Sequence, residues 1–160
     1  PSNKDRFLRK ETLQGFVHDE ASAFFGGLAG NAGLFSTARD VARVYQMLLN
    51  GGEIDGQRYL SKETCQLFTT ETSKISRRGL GFDKPDADDP KKGNCAPAAP
   101  AEVYGHTGFT GTCAWVDPMN ELVYVFLSNR IYPDVTNRKL NQLHIRERIQ
   151  GAIYDAMKKK

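Results

Sequence analysis

Two apolar runs near the end of the 160-residue chain constrain its fold more than any other feature. Val103–Trp115 and Leu122–Ser128 are rich in the β-branched and aromatic residues that favour strands. Between them, the stretch VDPMNE supplies the residues of a tight turn. We therefore predict an antiparallel hairpin. The second run contains LVYVFL, which is almost entirely apolar and predicts a central strand covered on both faces.

Three segments carry helical signals. The first begins at a capping box formed by Thr37 and Asp40 and stops at the glycines of 50–52. The second is predicted to begin at Ser61. A long third helix is predicted over 136–160, with its RER and KKK residues facing water. The residues predicted to face inward are Val41, Val44, Tyr45 and Leu48 in the first helix, Cys65 and Phe68 in the second, and Leu140, Leu143, Ile149, Ile153 and Ala156 in the third.

These segments predict an α+β fold, an antiparallel sheet flanked by helices that include a C-terminal helix. The chain is predicted to form one domain over 1–160. Residues 83–100 are rich in Asp, Lys, Pro and Ala without periodicity, which predicts a surface loop. Two strands are too few for a good core, and the chain begins with Pro rather than Met. We therefore expect it to be a piece of a longer protein.

Composition argues against several classes of function. The net charge of +3 is small, and the basic residues of the last helix are not interleaved with aromatic residues that stack on bases. Nucleic-acid binding is therefore not predicted. No apolar run has membrane-spanning length. The cysteines, Cys65, Cys95 and Cys113, lack the spacing of a zinc site, so no metal or cofactor is predicted. Cys113 is a weak candidate nucleophile, because no base adjoins it and its neighbours indicate packing.

The stretch YGHTGFTGT, residues 104–112, is the best candidate for chemistry. Glycine weakens a strand unless something approaches the backbone closely. His106 carries an imidazole, which can transfer protons or orient a carboxylate, and Gly108 leaves room beside the backbone for a substrate carbonyl. The N–H of Phe109 is predicted to donate to an oxyanion, provided that the strand is an edge strand there. Thr107 points to the opposite face from His106.

Two longer blocks carry a family resemblance. One is YGHTGFTGT followed by WVDPMNELVYVFLSNR, and the other is GGLAGNAGLFSTARDVARVYQMLLNGG. Together they resemble the penicillin-recognising serine hydrolases of the class C β-lactamase branch, whose third signature is a strand-borne Lys-Thr-Gly or His-Thr-Gly. The nearest type is a muramyl-alanine amidase that some bacteria fuse behind a family 3 β-N-acetylhexosaminidase. The resemblance covers residues 15–158 and implies the β-lactamase/DD-peptidase fold.

The resemblance also implies a division of the active site. The family nucleophile lies in Ser-x-x-Lys, which does not occur in this chain. We therefore expect these residues to be the C-terminal half of a serine hydrolase and to be inactive without the N-terminal half. The implied catalytic residues are His106, Thr107, Gly108 and Phe109. The implied substrate-binding residues are Thr110, Tyr104 and His18, although His18 and Asp19 are more simply interpreted as a turn-capping pair.

The implied reaction is cleavage of an amide or ester through an acyl-enzyme, with a cell-wall muropeptide as substrate, in the bacterial periplasm or cell envelope. Two departures qualify it. His106 replaces a permanent lysine cation, which favours an amidase or esterase over a strong β-lactamase. Asn31 stands where the amidase type has His. The alternatives are an esterase, a weak β-lactamase, or a non-catalytic module that binds the cell wall or docks to a fused glycosidase.

Overall fold

A computed structural model describes residues 2, 4–70, 75–89 and 93–158 of the chain. Five helices and five strands alternate in blocks within these residues. In chain order they are α1 (Glu20–Phe24), α2 (Ala38–Leu49), β1 (Glu53–Ile54), β2 (Gln57–Arg58), α3 (Lys62–Thr69), β3 (Tyr104–Thr107), β4 (Cys113–Asp117), β5 (Leu122–Phe126), α4 (Lys139–Gln142) and α5 (Ile145–Met157).

The main sheet is antiparallel, with the strand order β3-β4-β5 in the described residues. The predicted hairpin is confirmed, because β4 and β5 are joined by the turn that follows Asp117. The prediction of one continuous strand over 103–115 is wrong, since a turn at 108–111 divides it into β3 and β4. The prediction that LVYVFL is the central strand is also wrong. Among the described residues the central strand is β4. All five of its residues are buried, because α2 covers one face of the strand and the core cluster on the α5 side covers the other.

Helix α2 packs against one face of β4 and β5. Its predicted cap is confirmed, because Thr37 Oγ1 accepts a hydrogen bond from the Asp40 N–H at 3.2 Å. The inward face is narrower than predicted, since Val44 is 55% exposed. In α3, Ser61 caps the helix and Cys65 is buried as predicted, but Phe68 is 44% exposed. Helical spacing thus located both helices, but not the full set of buried residues.

The predicted final helix is two helices rather than one. His144 has a φ of 48°, and a left-handed residue interrupts the right-handed helix between α4 and α5. The break changes which residues of α5 face the sheet. Arg146 and Glu147, predicted to face water, are buried, whereas Leu143, predicted to be buried, is 53% exposed. The described part of the chain ends just after α5, so the last two lysines lie outside it.

The core lies between α5 and the sheet. Its buried cluster consists of Cys95, Val103, Cys113, Trp115 and Tyr124. The prediction of a surface loop over 83–100 is therefore only partly right. The middle of this segment is exposed at 87–88, but Asp83, Lys84, Cys95 and Ala96 are all buried, because the segment returns to cover the sheet.

Candidate functional site

The outer edge of β3 is open beyond Gly105. Gly105 exchanges two main-chain hydrogen bonds with Asp83, at 2.7 and 3.0 Å, across an isolated bridge. Backbone groups alternate along a strand, so those of Thr107 face the same edge, and Phe109 follows in the turn just beyond the end of β3. Within the described ranges, neither of their N–H groups has a hydrogen-bond acceptor. The edge required for an oxyanion donor is therefore present at the predicted place.

A tight turn presents the Phe109 N–H. The Gly111 N–H donates to the Gly108 carbonyl at 3.0 Å, which leaves Phe109 and Thr110 as the two central residues. Gly111 has a φ of 110°, a conformation that favours glycine. At Gly108, an added Cβ would lie 2.3 Å from Thr112 Oγ1. The glycine therefore makes room for the Thr112 side chain, and its role in admitting a substrate stays a prediction.

The Phe109 ring connects this turn to two other segments. The His18 ring stacks on it, with a centroid separation of 5.5 Å. The Arg130 guanidinium lies 4.5 Å from the ring centroid, and Arg130 Nε donates to the Phe109 carbonyl at 2.8 Å. The structure thus brings His18 beside the His-Thr-Gly strand. Nothing in the sequence spacing indicates this contact.

Asp19 caps α1, so the turn-capping interpretation of the pair His18–Asp19 is confirmed for Asp19, whereas the His18 ring lies against Phe109. Asp19 accepts a hydrogen bond from the Ser22 N–H at 2.7 Å at the start of α1. This hydrogen bond lowers the pKa of the Asp19 carboxyl. Asn31, which replaces an expected histidine, donates to Asp19 at 3.4 Å and accepts from the Ser22 hydroxyl at 3.2 Å. It therefore closes the glycine-rich loop onto the cap.

The His106 imidazole has both nitrogens engaged. Arg78 Nη1 lies 3.1 Å from Nε2, and the Thr107 carbonyl lies 2.7 Å from Nδ1. A guanidinium has donors only, so Nε2 accepts and Nδ1 carries the proton. Sequence analysis missed Arg78, because a contact across 28 positions leaves no local signal.

The structure places Tyr104 apart from the other predicted site residues. It is only 4% exposed, and its ring packs edge-on against Phe82 at 5.4 Å. Burial raises the pKa of the phenol. Its hydroxyl is therefore not available to a substrate in this structure, which corrects the predicted binding role. Thr110, in contrast, lies in the turn at the open edge, where its carbonyl accepts from the Arg130 N–H at 2.9 Å.

A cavity of about 560 Å³ adjoins the other face of β3, and Thr107 lies in its wall. Arg130, Arg138 and Arg146 line it, together with the turn residues Gly108 and Phe109, and no acidic side chain belongs to the described lining. Arg146 is only 7% exposed, and its Nε has no hydrogen-bond partner among the described residues. Burial and the two neighbouring arginines lower the pKa of Arg130. Such a cavity favours an anion.

The cysteines and the metal-ligating side chains of the described residues are poor candidates for a different catalytic centre. Burial raises the pKa of the Cys95 thiol to about 12 and that of Cys113 to about 11, so neither is a reactive thiolate. No group of three or more metal-ligating side chains occurs in the described ranges. None of the helices described is long and apolar enough to cross a membrane.

A protein family and individual proteins of known sequence are both similar to this chain. Residues 3–147 match the protein family described as Beta-lactamase. The chain is 36% identical over 135 residues to proteins of Escherichia coli (strain K12) and Salmonella typhi, each named "Putative D-alanyl-D-alanine carboxypeptidase". The match covers 84% of this chain and 31% of each relative, so the chain spans about a third of their length. The predicted α+β fold is confirmed.

Proposed function

Because this chain belongs to the Beta-lactamase family, we propose that it is the C-terminal part of a serine hydrolase that cleaves an amide or ester bond in peptidoglycan. The observation that carries the proposal is that, among the described residues, the main-chain N–H groups of Thr107 and Phe109 have no hydrogen-bond acceptor, at the open edge of β3 and in the turn just beyond it, beside His106. A donor of this kind stabilises the oxyanion of acyl transfer. The carboxypeptidase name of the relatives supports a cell-wall substrate.

The attacking hydroxyl would come from the part of the gene product outside these residues. Its oxygen forms a bond to the substrate carbonyl carbon, and the developing oxyanion accepts from the Phe109 N–H. The carbon–nitrogen or carbon–oxygen bond then breaks, and the leaving group takes up the proton that the attacking hydroxyl has given up. Water hydrolyses the resulting acyl ester and regenerates the hydroxyl. The residues of this chain bind and orient the carbonyl throughout.

A large apolar surface supports a missing half. In the glycine-rich loop, the 12-residue segment 24–35 contains five large apolar side chains that are more than 60% exposed, namely Phe24, Phe25, Leu28, Leu34 and Phe35. Exposed large apolar side chains concentrated in one segment are typical of an interface. We propose that the N-terminal half of the same domain covers it and brings the nucleophile to the β3 edge.

The cavity with three arginines favours a substrate that carries a carboxylate. Muropeptides fit this requirement, and two bonds are candidates. Cleavage at the lactyl–alanine amide would make the protein an amidase, whereas cleavage between two D-alanines would make it a carboxypeptidase like the relatives' printed name. The bacterial periplasm or cell envelope is the proposed location for either reaction. A fused glycosidase domain is the proposed partner, and a weak β-lactamase or an esterase activity is the alternative to this function.

The substrate proposal is tested with the full-length gene product that contains residues 1–160. Muramyl peptides and D-alanyl-D-alanine peptides are incubated with it, and the products are separated by mass. We expect one of the two bonds to be cut. A folded gene product that cuts neither bond and forms no acyl adduct would instead favour the non-catalytic binding or docking module.

Arg138→Gln tests the anion cavity. Arg138 is exposed at the cavity wall, so its replacement leaves the core intact. We expect KM to rise about tenfold for a substrate with a free carboxylate, the effect of losing a charge-assisted hydrogen bond, and to stay unchanged for its carboxamide analogue. Arg148→Gln is the matched control, because Arg148 is exposed on α5 and does not line the cavity. An equal rise in KM for both substrates would contradict the assignment.

A further inference from the structure

We propose that Arg78 supplies the positive charge on the His106 face of β3 and holds His106 as a neutral hydrogen-bond acceptor. The proposal deepens the function proposed above and rests on it where it concerns catalysis. The sequence predicts the loss of a cation, because histidine stands where a Lys-Thr-Gly strand has lysine. The structure returns a cation to the same face of β3 from a different segment.

The protonation state follows from the two hydrogen bonds of the ring. The guanidinium of Arg78 cannot accept a hydrogen bond, so the 3.1 Å contact requires an unprotonated Nε2. The Thr107 carbonyl can only accept, so the 2.7 Å contact requires a proton on Nδ1. Both contacts are satisfied by one neutral tautomer. In that state the Nε2 lone pair is occupied, so His106 is not the general base of the site.

The position of Arg78 is set by its backbone. Its N–H donates to Ser76 Oγ at 3.2 Å, and the next residue, Gly79, donates to the Phe82 carbonyl at 3.0 Å. A Cβ at Gly79 would lie 2.4 Å from the Phe68 carbonyl oxygen, so the chain passes very close to α3 at this point. Arg78 is therefore delivered to His106 by a constrained turn.

The charge of Arg78 is only weakly compensated. Among the described residues, the acid that forms an ion pair with Arg78 is Asp83, whose Oδ1 lies 3.8 Å from Arg78 Nε. The Asp83 carboxylate already accepts two hydrogen bonds from Arg77, at 2.9 and 3.1 Å, and one from Asn94 at 2.7 Å. The Arg78 side chain is also 47% exposed. Its guanidinium is therefore available to an anionic group of the substrate or to an oxyanion on this face.

Two anion-binding positions then flank β3. His106 and Arg78 lie on one face of the strand, and the cavity of Arg130, Arg138 and Arg146 adjoins the other, because neighbouring side chains alternate. The substrate class that suits this arrangement is a peptide with a carboxylate for the cavity and a reacting carbonyl at the edge. Arg78 acts through His106 and by its own charge, which makes it a positioning residue.

The tautomer is measured by long-range ¹H–¹⁵N correlation spectra of histidine-labelled gene product at neutral pH. The His106 signals are those that disappear in His106→Gln. We expect one protonated nitrogen, Nδ1, and one unprotonated nitrogen, Nε2. A doubly protonated ring, or a proton on Nε2, would overturn the proposal. This measurement needs no activity, so it separates the failure of this inference from the failure of the proposed function.

A charge-relocation series tests the catalytic role. Placing two cations together is unfavourable, so His106→Lys alone should lower kcat/KM at least about tenfold, and Arg78→Met alone should do the same. The double variant carries one cation at position 106 and should recover most of the loss. Arg78→Lys should retain activity. The role assigned to Arg78 would be overturned if the loss of kcat/KM in the double variant equalled the product of the two single losses. This outcome counts only if all variants have the same melting temperature as the parent.

Discussion

Replacing Phe109 with proline is expected to lower kcat by about 10²–10³, the typical effect of removing one oxyanion donor. Proline removes the N–H and little else from the backbone here. Phe109 is the second residue of the turn over 108–111, its φ is negative, and proline is favoured at that position of a type I turn. The substitution is therefore expected to leave the turn in place.

Phe109→Ala is the matched control. It removes the same ring, with its contacts to His18 and Arg130, but keeps the N–H. The comparison uses single-turnover rates of the gene product with a peptide or ester substrate, so that binding and chemistry are separated. If the proline and alanine variants react at the same rate, the Phe109 N–H is not the oxyanion donor.

Trp115→Ala is expected to lower the free energy of unfolding by about 3–5 kcal/mol, the usual cost of deleting a buried indole. Trp115 is 1% exposed at the centre of the cluster formed with Val103, Cys113 and Tyr124. The same ring lies against Gly105, where an added Cβ would be 2.7 Å from Trp115 Cε3. Loss of the Trp115 ring therefore also removes packing from β3, the strand that carries the site.

Trp115→Phe is the control for this loss. The indole Nε1 has no hydrogen-bond partner among the described residues, so phenylalanine removes no hydrogen bond and keeps an aromatic ring. We expect less than half the destabilisation of the alanine variant. Urea unfolding is followed by circular dichroism rather than by fluorescence, because both variants lack the one tryptophan of the chain. Equal losses in both variants would contradict a packing role.

Local patterns predicted the elements that local physics determines. The cap at Thr37 and the turn after Asp117 depend on neighbours within four residues, and both are confirmed. The central strand depends on which strands lie beside it, and composition carries no record of that order. The break at His144 was not predicted either. Positive φ is uncommon for a residue other than glycine, so the helical spacing of the apolar residues gives no indication of it.

The features of the site likewise divide into those set within one short segment and those set by contacts between distant segments. The open edge at Phe109 could be predicted, because glycine, strand alternation and the His-Thr-Gly resemblance all concern one short segment. The contacts of His106 with Arg78, and of Phe109 with His18, join segments far apart in sequence. The arginine cavity also escaped prediction. Arg146 was assigned to the water-facing side of a continuous helix, and only the restart at α5 turns it inward.

The loss of lysine at the His-Thr-Gly strand therefore does not imply the loss of positive charge. Arg78 stands at one face of β3 and three arginines stand at the other. A preference for amidase or esterase chemistry over β-lactam hydrolysis, expected from the lysine replacement, no longer follows from charge alone. Under the proposed function, it depends on the shape of the cleft that the N-terminal half would complete.

The central claim is that this chain supplies the oxyanion edge and another part of the gene product supplies the attacking serine. The most direct measurement treats the full-length gene product with a fluorophosphonate and locates the adduct by peptide mass spectrometry. We predict one modified serine, outside residues 1–160, and no modification when the 160-residue chain is treated alone. An adduct on any serine within residues 1–160 would contradict the account.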